Sequence, residues 1–194
     1  MHSTLFYRIK DIFTKTGAGW DQLAPSKDTA IEYAHNHLNQ DPERMIDANK
    51  YSLEYCLAHS GESINERYRT GRTLDDVDSS IPDMINKYTT KQDIVVYRGV
   101  CDHVYELMIE NAKAHSGTDL LEKGFLATSL VKGCELHYKK KLRIYVPAGT
   151  HAVYQGNVND EQMRFYEVDI QHEAHLKIIS IDKEYINCKL LQTA

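Results

Sequence analysis

An α+β domain, with helices in its first half packed on a mainly antiparallel β-sandwich in its second, is the fold that this 194-residue sequence predicts. Three observations carry the prediction. Apolar residues recur at helical spacing before residue 93, and after it they alternate or run in short β-branched stretches. No repeat or low-complexity linker divides the chain. The length suits one well-buried core, so 1–92 is read as the helical half and 93–194 as the β-rich half of a single domain.

The elements follow in order. Ser26 can cap a helix whose face carries Ala30, Ile31, Ala34 and Leu38. Asp41-Pro42 opens a longer helix that places Met45, Ile46, Leu53, Cys56 and Leu57 on one side and ends at Gly61. Ser63 and Glu66 form a capping box for a short helix that Gly71 stops, and Pro82 starts another bearing Met84, Ile85 and Tyr88. Strands are expected over 94–97, 125–129, 142–146, 151–154, 176–181 and 185–190, with one helix near 102–114. Tyr166, Val168 and Ile170 alternate with Phe165, Glu167 and Asp169, which predicts a strand with its apolar face on the core and its acidic face on a cleft.

Composition narrows the function. Hydrophobic residues at 42% and charged residues at 26% exclude a disordered or fibrous chain. A net charge of −5 argues against nucleic acid or an anionic membrane as the main partner. No run of apolar residues is long enough for a membrane span, and residues 1–17 carry charges throughout, so no signal peptide is expected within them. Cys56, Cys101, Cys134 and Cys188 are widely separated, which predicts buried free thiols. The His172-Glu173-Ala174-His175 stretch lacks the spacing of a helical metal motif, and no metal is expected. Lys132, Lys139, Lys140, Lys141 and Arg143, opposed within that run by Glu135, read as a lysine-protected edge strand.

Three pieces place polar groups on or at the ends of apolar strands: Val96-Tyr97-Arg98-Gly99, Gly124-Phe125-Leu126-Ala127-Thr128-Ser129 and Arg164-Phe165-Tyr166-Glu167-Val168-Asp169-Ile170. An arginine after such an apolar run needs a carboxylate partner or an anion. In this order, together with Ser63-Ile64-Asn65-Glu66-Arg67-Tyr68-Arg69 and Val146-Pro147-Ala148-Gly149-Thr150, they resemble the mono-ADP-ribosyltransferase toxins of the clostridial type, which include Vip2-like, C3-like and actin-modifying enzymes. The resemblance covers most of the chain.

The resemblance implies an ADP-ribosyltransferase-like fold and NAD as substrate, with Glu167, Ser129 and Arg98 as the catalytic set. Arg98 and Gly99 would meet the pyrophosphate and the nicotinamide amide, Asn65, Arg69 and Tyr51 would line the adenine or phosphate side, and Thr128 and Ser129 would orient Glu167. His137 or Tyr138 would be candidates to stack on nicotinamide. A monomer that transfers ADP-ribose to a protein acceptor follows, secreted or delivered into the cytosol of a target cell.

Two positions depart from the family pattern. Ala127 stands where the family's Ser-Thr-Ser triplet begins, and Phe165 stands where Glu or Gln selects the acceptor. Phe165, with Glu161 and Gln162 just upstream, is therefore the acceptor-recognition candidate. An NAD glycohydrolase and a catalytically silent binding domain are the competing readings.

Overall fold

The computed structural model describes residues 19–38, 64–156 and 165–194. The helix expected over 42–59 lies outside them, as do Tyr51, Cys56, Ser63, Glu161 and Gln162.

Among the described residues the helical half holds α1 (Ala30–His37), α2 (64–70) and α3 (Asp76–Ile85). Ala30, Ala34 and Leu38, four residues apart, are the buried stripe of α1, whereas Ile31 lies a quarter-turn round the helix and is 60% exposed. Ser26 caps the short 3-10 turn before α1, its N–H donating to Thr29 Oγ1 at 3.2 Å. Gly71 ends α2 at φ +66°, and the Arg72 N–H reaches back to the Arg67 carbonyl at 3.0 Å, which is the left-handed closure glycine permits. Pro82 does not start α3. Asp75 does, accepting the Asp78 N–H at 2.8 Å, and Pro82 lies inside the helix. The Asp78 carbonyl, which a proline at 82 cannot bond, accepts the Tyr68 hydroxyl at 3.3 Å instead.

The second half holds β1 (Ile94–Val100), α4 (Asp102–Ala112), β2 (Leu120–Glu122), β3 (Leu126–Ser129), β4 (Lys140–Val146), β5 (Ala152–Gly156), β6 (Glu167–Ile170), β7 (Ala174–Ile181) and β8 (Ile186–Gln192). The strands hydrogen-bond in one unbroken order, β2-β7-β8-β4-β1-β3-β6-β5, and every pairing is antiparallel except β4 with β8. A single core cluster takes side chains from all eight strands and from α1 and α4. β1 is buried along both faces: Ile94, Val96 and Val100 enter that core, while Val95 and Tyr97 pack with Trp20, Tyr145 and Tyr185.

Three strand details differ from expectation. β2 has no counterpart in the sequence reading, because three residues carry no period and its pairing with β7 is made only in three dimensions. β4 lies in the middle of the sheet, so its lysines do not guard an edge. Lys140 pairs with Asp102 at 2.6 Å and Lys141 with Glu135 at 2.9 Å. β6 begins at Glu167, since Tyr166 takes φ +47° and breaks the extended run between Phe165 and Glu167.

Candidate functional site

β1, β3 and β6 lie side by side, and their register fixes what faces a cleft at their ends. Tyr97 is opposite Ser129, Ser129 is opposite Glu167, and Ala127 is opposite Asp169. The cleft encloses about 390 Å³ and is lined by Asn65, Arg69, Arg98, Gly99, Ala127, Thr128, Ser129, Phe165 and Glu167, with Cys101, Glu135, Leu136 and Tyr138 at other points of its wall. That volume falls within the ~300–1,000 Å³ usual for small-molecule sites. Residues drawn from four separated stretches of sequence therefore meet at one concavity. His137 does not line it, and Tyr51, Glu161 and Gln162 lie outside the described residues.

The arginines are organised by a carboxylate that no motif marks. Glu122 is 1% exposed and accepts two bonds from Arg69, at 2.9 Å from Nε and 2.8 Å from Nη2. It also accepts Arg98 Nη2 at 2.9 Å and the Gly124 N–H at 2.9 Å. Burial raises its carboxyl, but Arg98, Arg69 and the Gly124 N–H outweigh that effect and hold it below the usual range. Glu122 thus keeps two like-charged guanidiniums beside each other. Arg98 also donates from Nη1 to the Ala127 carbonyl at 3.1 Å, and its Nε is buried without an acceptor. In the sequence Glu122 shows only as an acid between Leu120-Leu121 and Lys123-Gly124, which does not set it apart from other carboxylates.

The remaining residues have definite local tasks. Asn65 Oδ1 accepts the Phe125 N–H at 2.7 Å, which docks α2 on the turn that starts β3, and a Cβ at Gly124 would come 2.6 Å from that oxygen. Gly99 answers an intramolecular constraint: a Cβ there would lie 1.8 Å from the Leu136 carbonyl oxygen. The Thr128 hydroxyl donates to the Val168 carbonyl at 2.8 Å and ties β3 to β6. Ser129, the cross-strand neighbour of Glu167, donates its hydroxyl to the Val131 carbonyl at 2.9 Å rather than to that carboxylate. Phe165 reaches the cleft from the turn before β6, not from the strand.

Glu167 and Asp169 are two residues apart on β6 and share a face. Burial raises the Glu167 carboxyl, against hydrogen bonding from Asp169 and attraction from Arg98. Asp169, 3% exposed, is raised well above the ordinary range, first by burial and then by the neighbouring Glu167. Carboxyls perturbed by burial and a like-charged neighbour, at the wall of a cleft that also holds cations, mark a functional site. Among the described residues no group of His, Cys, Asp and Glu is placed to hold a metal.

Comparison with known proteins identifies the family and the fold. The family model for the ADP-ribosyltransferase exoenzymes matches residues 29–194, and the chain belongs to that family. Its fold is similar to that of Plx2a, an ADP-ribosyltransferase toxin from Paenibacillus larvae, with a TM-score of 0.60 at 18% identity over 86% of this chain and 96% of that one. The Clostridium limosum C3 exoenzyme gives a TM-score of 0.60 at 17% identity over 86% and 95%. C3stau2 from S. aureus, solved with NAD, gives 0.50 at 16% identity over 79% and 100%. No curated protein sequence matches the chain.

Proposed function

We propose that this chain is an NAD-dependent mono-ADP-ribosyltransferase, a toxin or effector that breaks the nicotinamide–ribose bond and transfers ADP-ribose to a protein acceptor. The observation that carries the reading is the meeting of Glu167 with Arg98, Arg69 and Asn65 at one cleft of suitable volume. Cleavage of the glycosidic bond develops oxocarbenium character on the ribose, and a fixed carboxylate favours that charge more than it favours the ground state. Glu167 supplies the carboxylate. Arg98 and Arg69 suit the diphosphate of NAD as forked hydrogen-bond donors, and Glu122 holds both guanidiniums in place before the substrate arrives.

Phe165 provides an apolar surface beside Glu167 in place of a polar acceptor-orienting side chain. The protein acts as a monomer inside a target cell. Incubation with NAD labelled in the adenylate portion tests the reading: nicotinamide is released and label appears on a protein of the target lysate. Release without any labelled protein assigns the chain as an NAD glycohydrolase. No release from folded protein overturns both.

A further inference from the structure

We propose that Asp169 is a positioning residue for Glu167, holding the proton of the pair and donating it in a hydrogen bond that fixes the catalytic carboxylate. The inference rests on the assignment of Glu167 made above. Asp169 and Glu167 lie two residues apart on one face of β6, so their carboxyls act directly on each other, and two such groups hydrogen-bond only when one of them carries a proton. Geometry selects Asp169 as the carrier. It is 3% exposed, whereas Glu167 opens on the cleft. Its cross-strand neighbours are Ala127 on β3 and Val153 on β5, and neither side chain can donate to it. Asp169 Oδ2 is buried with no donor directed at it, which suits the carbonyl oxygen of an uncharged carboxyl and not one half of a carboxylate.

The charges around the pair point the same way. Arg98 on β1 is the cation that acts on both carboxyls, and its Nη1 and Nη2 are held by the Ala127 carbonyl and by Glu122. Arg69 on α2 is bound to Glu122 through two bonds. Two arginines balance Glu122 and Glu167, and an ionised Asp169 would be a third carboxylate, itself buried, with no cation of its own. Ala127, where a hydroxyl-bearing residue would face the same carboxyls, leaves the donor's part to Asp169.

The test compares Asp169→Ala with Asp169→Asn in steady-state nicotinamide release. An asparagine amide still donates to Glu167, so Asp169→Asn keeps kcat within a few-fold of wild type. Asp169→Ala lowers kcat by roughly ten- to a hundredfold, the usual scale for one hydrogen bond to a charged group. KM for NAD stays close to wild type in both. Equal losses in the two variants, or none in Asp169→Ala, overturn the proposal. Infrared difference spectra of free wild type and Asp169→Asn at neutral pH give a readout independent of turnover: the carbonyl stretch of a protonated carboxylic acid is present only in wild type. Its absence from wild type overturns the proposal even if NAD is cleaved, and its presence upholds the proton assignment even if the wild-type protein proves inactive and the enzymatic reading falls.

Discussion

Two buried arginines on neighbouring strands divide the molecule into unlike halves. β1 and β4 pair so that Tyr97 faces Arg143 and Arg98 faces Leu142, which sends Arg98 and Arg143 to opposite faces. Arg143 lies 4.6 Å over the Tyr185 ring and meets Asp182 at 2.7 Å, Asn187 at 2.8 Å and Asp21 at 2.7 Å. Those carboxylates are 37% and 42% exposed. Lys132 and the Tyr97 hydroxyl add further bonds to Asp21, and both Asp21 and Asp182 are held below their ordinary range despite partial burial. On the Arg98 face Glu122 is lowered, while Glu167 and Asp169 are raised. One face matches each charge to a partner near solvent. The other buries a carboxyl more than its cations balance, a cost that structure alone does not call for and that chemistry at Glu167 explains.

Removing the organiser of the Arg98 face produces the largest effect. Glu122→Ala leaves two buried guanidiniums unpaired and lowers stability by about 3–5 kcal/mol in denaturant titration, with NAD binding lost as well. A loss below about 1 kcal/mol contradicts the role given to Glu122. Arg98→Lys preserves charge but not the fork shared between Glu122 and the Ala127 carbonyl, so NAD affinity by calorimetry falls by about tenfold or more while the fold survives. Unchanged affinity removes Arg98 from the NAD site.

Smaller effects sharpen the contrast. Asp169 keeps in the folded state a proton that the unfolded chain releases above a pH of about 3.9. Its contribution to stability therefore falls as pH rises from there through its raised folded value, the opposite sign to Glu122, whose contribution is lost as pH falls. Asp169→Asn removes that decline from the Tm–pH curve, and superimposable curves refute it. Phe165→Glu alters transfer to protein more than nicotinamide release, because it changes the acceptor side and leaves Arg98 and Glu122 untouched; equal losses place Phe165 in the NAD pocket itself. On the Arg143 face, Asp182→Asn costs at most about 1 kcal/mol and leaves nicotinamide release unchanged.

The sequence shows which strands carry chemistry more clearly than it shows how their side chains are held. The order Arg98, Thr128-Ser129, Glu167 was legible only through its resemblance to a family pattern, since each alone reads as an ordinary strand residue, and the structure brings all of them to one cleft. Glu122 was not legible, since its partners lie 53 residues before it in Arg69 and 24 residues before it in Arg98. Gly99 carries a backbone constraint imposed by Leu136, which no local pattern announces. The start of β6 escaped for a different reason: alternation through Tyr166 looks like strand, and only its positive φ shows that Phe165 approaches from a turn. Asp75 is masked as a cap in the sequence by Pro82, a stronger start signal that sits inside α3.

The central claim is that Glu167 supplies the charge that cleaves NAD. Steady-state nicotinamide release by purified, folded wild type and Glu167→Gln tests it most directly, with NAD affinity measured alongside. Glutamine keeps the shape and one acceptor oxygen but removes the charge opposite the developing oxocarbenium. Turnover is expected to fall by ~10²–10³, about 2.7–4 kcal/mol, with affinity nearly unchanged. Release by Glu167→Gln at the wild-type rate would contradict the account.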